Sequence, residues 1–268
     1  QKFINQNFIC MKNRLFVFML LMFSVFSVMA QYNAHVETTT DEQQIIRAQQ
    51  AREFIQSAKN LVFYLPFSSQ SAQDAKVADT KKIVWCENRN KEKDEAGIFT
   101  YNVNGIKAKP GAYFDKDFTI SVWVNVENVS KWSRIIDFGV GQNNSNIVFS
   151  NSASMSGIPG LAIYKGAGTD LTQIRGTDKN RLKEGEWYHL AATLTGTVAR
   201  LYVNGVEIQK AENFYVPGNA ARPMCLIGAS NFEGESNFYG RMDELRIYNK
   251  ALSDLEIKIL AEWKFQKP

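Results

Sequence analysis

The strongest constraint in this chain is a hydrophobic period of two that recurs in short runs. Leu61, Phe63, Leu65 and Phe67 fall on one face of an extended segment. Phe118, Ile120, Val122 and Val124 repeat the pattern, with Thr119, Ser121 and Trp123 opposite. Further strand-like runs are Ile83–Cys86, Ile98–Val103, Arg134–Phe138, Ile147–Phe149, Leu161–Tyr164, Trp187–Leu194, Arg200–Val203, Met224–Ile227 and Tyr239–Tyr248. Asn204-Gly205 sits between Tyr202-Val203 and Val206, the strongest short hairpin signal, and Asn104-Gly105 is a second. Closely spaced strands without helical patterns between them predict antiparallel β structure. About 200 residues of this kind form a single β-sandwich rather than two domains.

Helical spacing is confined to the two ends. Thr40 followed by Asp41, Glu42 and Gln43 resembles a helix start, and Ile45, Ala48, Ile55 and Ala58 recur at helical spacing to residue 59. At the other end Ser253 and Glu256 form a capping box. Leu252 and Ile257 can staple it, predicting a helix from Asp254 to about Trp263. The segment 70–96 is polar and charged apart from Ile83–Trp85, and reads as surface loops around one short strand.

The first thirty residues read as an address. Lys12 and Arg14 precede an apolar run, Leu15 to Met29, broken only by Ser24 and Ser27. Val28-Met29-Ala30 suits a cleavage site before Gln31, which predicts a signal peptide over 11–30. Residues 1–10 read as an upstream extension. The alternative is a membrane anchor, but about fifteen apolar residues are short of the roughly twenty a span needs. No later stretch is apolar enough to span a bilayer, so the expected location is exported.

Charge follows the same division. The chain carries +4, yet residues 1–30 hold Lys2, Lys12 and Arg14 and no acid. The remainder has 28 basic residues against 27 acidic ones. A nearly neutral body without a basic stripe argues against nucleic acid as a partner. Cys10 is lost with the leader, leaving Cys86 and Cys225. In an exported chain that pair is a candidate disulfide, with two buried thiols as the alternative.

Four stretches together resemble the laminin G-like domain of the concanavalin A-like lectin/glucanase superfamily, in the form common in bacterial exported proteins. They are Leu61-Val-Phe-Tyr-Leu-Pro-Phe67; Asp117-Phe-Thr-Ile-Ser-Val-Trp-Val124; Glu186-Trp-Tyr-His-Leu-Ala-Ala-Thr193 running into Leu201-Tyr-Val-Asn-Gly205; and Tyr239-Gly-Arg-Met-Asp-Glu-Leu-Arg-Ile-Tyr-Asn249 with Ala251-Leu-Ser253. The resemblance implies an all-β, antiparallel two-sheet jelly roll over residues 60–265. It also implies a carbohydrate-binding or interaction module, at the cell surface, in the periplasm or outside the cell. Some relatives are glycoside hydrolases.

The resemblance also directs attention to Asp243, whose counterpart is often associated with a structural Ca²⁺. Strand alternation places Asp243 with Leu245 and Ile247, an apolar face where a carboxylate needs a partner. Ser68 stands where the family pattern has an acidic residue, which weakens the calcium set. His189 is alone in the domain and reads as a packed histidine.

A β-jelly-roll glycosidase needs paired carboxylates. The nearest string, Glu92-Lys-Asp94-Glu95, lacks the third acid of E-x-D-x-E or E-x-D-x-x-E, so no catalysis is expected. Sugar binding would use flat aromatics beside polar groups. The candidates are Trp132, Arg134, Tyr164, Asn231 and Phe238, with core packing as the alternative for each aromatic. The expected partner is a glycan, or a cell-surface protein if the fold serves adhesion without a sugar site.

Overall fold

The computed structural model describes residues 59–68, 83–100, 105–154 and 157–262. The expected N-terminal helix, the leader and Asn104 lie outside the described residues. Fourteen strands appear in chain order among the described residues. The first seven are β1 (Leu61–Leu65), β2 (Val84–Cys86), β3 (Ala96–Phe99), β4 (Ile106–Lys107), β5 (Phe118–Val126), β6 (Arg134–Gly139) and β7 (Ile147–Ser150). The rest are β8 (Gly160–Tyr164), β9 (Leu171–Arg175), β10 (Trp187–Thr195), β11 (Val198–Val203), β12 (Val206–Ala211), β13 (Met224–Ile227) and β14 (Gly240–Tyr248). A helix, α1 (Asp254–Glu262), closes the chain.

The strands form the expected two-sheet antiparallel sandwich. The larger sheet runs β12-β11-β10-β5-β14-β3-β2, with β1 also paired to β14. The smaller runs β4-β13-β6-β7-β8-β9. Alternation explains the core between them. Ile120, Val122 and Val124 of β5 meet Phe138 of β6, Phe149 of β7 and Leu161 of β8 in one buried cluster. Phe63, Tyr113 and Phe138 pack edge-to-face or tilted at 5.5 to 6.3 Å. The hairpin predicted at Asn204-Gly205 joins β11 to β12, with both residues at positive φ, 50° and 80°.

Two strands were not anticipated. β4 is two residues long, and β9 (Leu-Thr-Gln-Ile-Arg) is a polar edge strand with few inward apolar residues to reveal it. The C-terminal capping box is reciprocal: the Glu256 N–H donates to Ser253 Oγ at 3.3 Å, and the Ser253 N–H donates to Glu256 Oε2 at 2.7 Å. Leu252 and Ile257 join Ala191, Tyr202 and Tyr248 in a second apolar cluster, which seats α1 on the outer face of the larger sheet.

Candidate functional site

The two outer faces of the sandwich hold the polar residues, and they are built differently. On the larger sheet, β14 contains a bulge. Asp243 pairs with Trp123 and Arg246 with Ser121, so three steps along β14 match two along β5. Glu244 occupies the bulge at φ 58°, the left-handed region. This corrects the alternation drawn from the sequence: Asp243 does not share a face with Leu245 and Ile247. It lies outward with Arg246, Ser121 and Trp123, while Leu245 and Ile247 remain in the core.

A buried ionic cluster results. Arg89, carried by the turn after β2, pairs with Asp243, and Arg246 pairs with Glu244. The Tyr64 hydroxyl donates to both Glu244 carboxylate oxygens at 3.1 Å. Arg89 lies 4.6 Å from the Trp123 ring, and Arg246 lies 4.7 Å from that of Tyr64. His189 shares a 2.8 Å hydrogen bond with Ser121 and packs 5.4 Å from Trp123. Burial, aided by Arg246 and Arg89, holds the His189 pKa down at about 3. His189 is therefore neutral in the fold. Burial pushes the Asp243 carboxyl up to about 7, against the pull of the two guanidinium groups. A carboxylate already faced by two arginines is a donor set that does not fit Ca²⁺.

The smaller sheet presents an open groove of about 210 Å³. Outward positions of β6, β7, β8 and β9 supply it: Arg134 opposite Ser150, Gly160 opposite Arg175, Ala162 opposite Gln173, and Tyr164 opposite Leu171. Gly160, Ala162 and Ala153 are small and make the floor, while Trp132 and Tyr164 are half-buried walls. Trp132 has φ 54°, an unfavourable setting for a non-glycine residue, at the turn that leads into β6.

Arg134 organises the groove. Its side chain is buried, donates to Ser150 Oγ at 2.9 Å, and pairs with Glu235. Its guanidinium lies 5.8 Å from the Trp132 ring and 5.6 Å from that of Phe232. Tyr164 contacts Phe232 at 5.2 Å. The Arg134 Nε–H is buried without a hydrogen-bond partner.

Three of the five sequence candidates, Trp132, Arg134 and Tyr164, thus meet in one place. The other two serve the frame. Phe238 is 1% exposed and packs edge-on to Phe99 at 5.7 Å, so it is core. The Asn231 N–H donates to Asp137 Oδ2 at 2.8 Å, and its Nδ2 donates to Asp137 Oδ1 at 3.0 Å. With the Asn146 Nδ2 donation at 2.7 Å, these bonds satisfy a buried carboxylate whose pKa burial raises. They also pin the loop that brings Phe232 and Glu235 to the groove. Gln173 and Arg175 escaped the sequence reading because β9 did. Outward alternation in Leu171–Arg175 would have been the signal.

Cys86 and Cys225 are both free. Cys86 lies on the larger sheet and donates to the Ala96 carbonyl, while Cys225 lies on the smaller sheet and donates to that of Arg222. The bond considered from the sequence is absent. Glu92, from the acidic string, accepts from Asn88 Nδ2 at 2.7 Å within a tight turn.

Among solved structures, domain 4 of AbnA, a GH43 extracellular arabinanase from Geobacillus stearothermophilus, in complex with arabinotriose, aligns with a TM-score of 0.60 at 20% identity. The match covers 76% of this chain and 98% of that one. The CBM40 of Ruminococcus gnavus IT-sialidase, bound to α2,3 sialyllactose, aligns at 0.48 and 13% identity, over 59% of this chain and 96% of that one. Among curated proteins, the Botulinum-like toxin eBoNT/J of an Enterococcus species is 24% identical over 181 residues, or 60% of this chain. The matched part is 13% of that toxin's length. The family model for the concanavalin A-like lectin/glucanases superfamily matches residues 102–258, and the chain belongs to that superfamily.

Proposed function

We propose that this chain is an exported, non-catalytic glycan-binding module whose binding surface is the groove on the smaller sheet. The observation that carries the reading is the convergence of Trp132, Arg134 and Tyr164 around a floor of small residues. A half-exposed indole and a phenol ring suit the apolar faces of pyranose rings. Gln173, Ser150 and Arg175 offer hydrogen-bonding groups beside them. The match to an arabinanase domain solved with a trisaccharide supports a sugar-holding fold.

The carboxylates support binding rather than hydrolysis. Of the residues around the groove only Glu235 carries one, and it is paired with Arg134. Glycoside hydrolysis by the usual mechanism needs two carboxyl groups across the bond.

A glycan array followed by calorimetry tests the reading. Binding is expected for the wild type and strongly weakened for Trp132→Ala with the fold intact. Equal binding by that variant would move the site elsewhere. A protein partner captured with no glycan signal would favour an adhesion domain, and release of reducing sugar would establish an enzyme. Export is tested by intact mass of the secreted protein, with a start at Gln31 expected.

A further inference from the structure

Tyr164 borders two cavities. Beyond it lies a bay of about 170 Å³ whose rim includes Ser145, Lys165, Tyr215 and Arg222. Arg222 is 4% exposed. It is held in place by reciprocal backbone hydrogen bonds with Gly111, at 3.0 and 3.3 Å. Its Nε–H donates to the Ser145 carbonyl and its Nη1 to the Ala220 carbonyl, both at 3.1 Å, and its guanidinium lies 5.7 Å from the Phe114 ring. None of these partners carries a negative charge.

The other arginines with buried side chains behave differently. Arg89 holds Asp243, Arg134 holds Glu235, and Arg246 holds Glu244. Among the described residues no carboxylate lies within ion-pair distance of Arg222 or of Lys165; the acid beside the rim, Asp170, accepts from the Tyr215 hydroxyl at 2.6 Å and is not among the residues lining the bay. Lys165 is exposed, with its ammonium 5.2 Å from the Tyr215 ring. Burying a guanidinium without a counter-charge is costly, and an anion placed against it would offset that cost.

We infer that this bay seats an anionic group, and hence that the glycan taken by the groove is acidic. A sugar against Trp132 and Tyr164 would carry a carboxylate or a sulfate ester past Tyr164 to Arg222 and Lys165. The inference rests on the glycan reading above and names its ligand class. Two cations from separate segments suit either anion through charge-assisted hydrogen bonds.

The test is a panel of oligosaccharides in matched sets. Each set contains a neutral parent, its uronate or sialylated form, and its sulfated form. The wild type should bind at least one acidic form roughly tenfold or more tightly than the parent. That ratio should fall towards one in Arg222→Gln and in Lys165→Met, while the parent's own affinity persists. Lys165 is exposed, so its variant keeps the test sound if Arg222→Gln fails to fold. Equal affinity for acidic and neutral forms overturns the inference and leaves glycan binding standing. An acidic preference that survives Lys165→Met but is lost in Arg175→Met places the charge in the groove and also overturns it. Absence of binding to every member removes the glycan reading itself. Which acidic form is preferred decides between carboxylate and sulfate.

Discussion

The outer faces of the two sheets carry similar side chains and treat them in opposite ways. On the larger sheet, Arg89, Arg246, Asp243 and Glu244 neutralise one another in a buried cluster capped by Tyr64. On the smaller sheet, Arg134 is paired once, and aromatic rings and hydrogen-bonding groups stand around an open floor. A polar sheet face is thus not evidence of a binding surface. The difference lies in whether the polar groups spend their capacity on each other.

The largest expected effect comes from breaking the closed face. Arg89→Leu leaves Asp243 without its paired guanidinium and should cost about 3–5 kcal/mol of stability by chemical denaturation. Glycan affinity of the folded fraction should not change. A loss of affinity equal to that of a groove variant would erase the distinction between the faces. Next is the open face. Trp132→Ala should cost about 2 kcal/mol of binding, roughly thirtyfold in Kd, with little change in the unfolding midpoint.

An effect that is smaller over any single pH unit tests the neutral His189. Its folded pKa of about 3 lies below the ordinary 6.5, so the unfolded chain takes up the proton first. Its stabilising contribution is present above pH 6.5 and is lost as pH falls towards 3. Relative to His189→Gln, the wild type should lose about 1.4 kcal/mol per pH unit within that window. A pH-independent difference between the two proteins would show that the imidazole ionises in place. Last, the unfolding midpoint should not differ between chelator and millimolar Ca²⁺. A clear rise with calcium would mean that Asp243 exchanges Arg89 for the metal.

The sandwich was legible because alternation is local and its inward residues are strongly apolar, as in β5. Trp132, Arg134 and Tyr164, which the structure brings to one groove, drew attention because they stand at strand ends in polar surroundings. Where sequence reasoning failed, a long-range fact intervened. Phe238 looks like a loop aromatic until Phe99 is placed beside it. Asn231 looks available until Asp137, 94 positions away, claims its amide. Arg222 shows nothing in its neighbourhood of the chain. Its importance is a lack of counter-charge, which only the packed structure can display.

The bulge at Glu244 has a consequence for any attempt to rebuild this protein. It inverts the parity of the strand, so that residues before and after it obey opposite inside–outside rules. Deleting that single residue would set Leu245 opposite Val122 and restore ordinary alternation, with Asp243 and Arg246 still outward and Leu245 and Ile247 still inward, at the loss of the carboxylate that Arg246 and Tyr64 hold. A strand borrowed from a bulge-free homologue cannot be transplanted position for position. The two halves of β14 have to be treated as separate words, with Glu244 as the space between them.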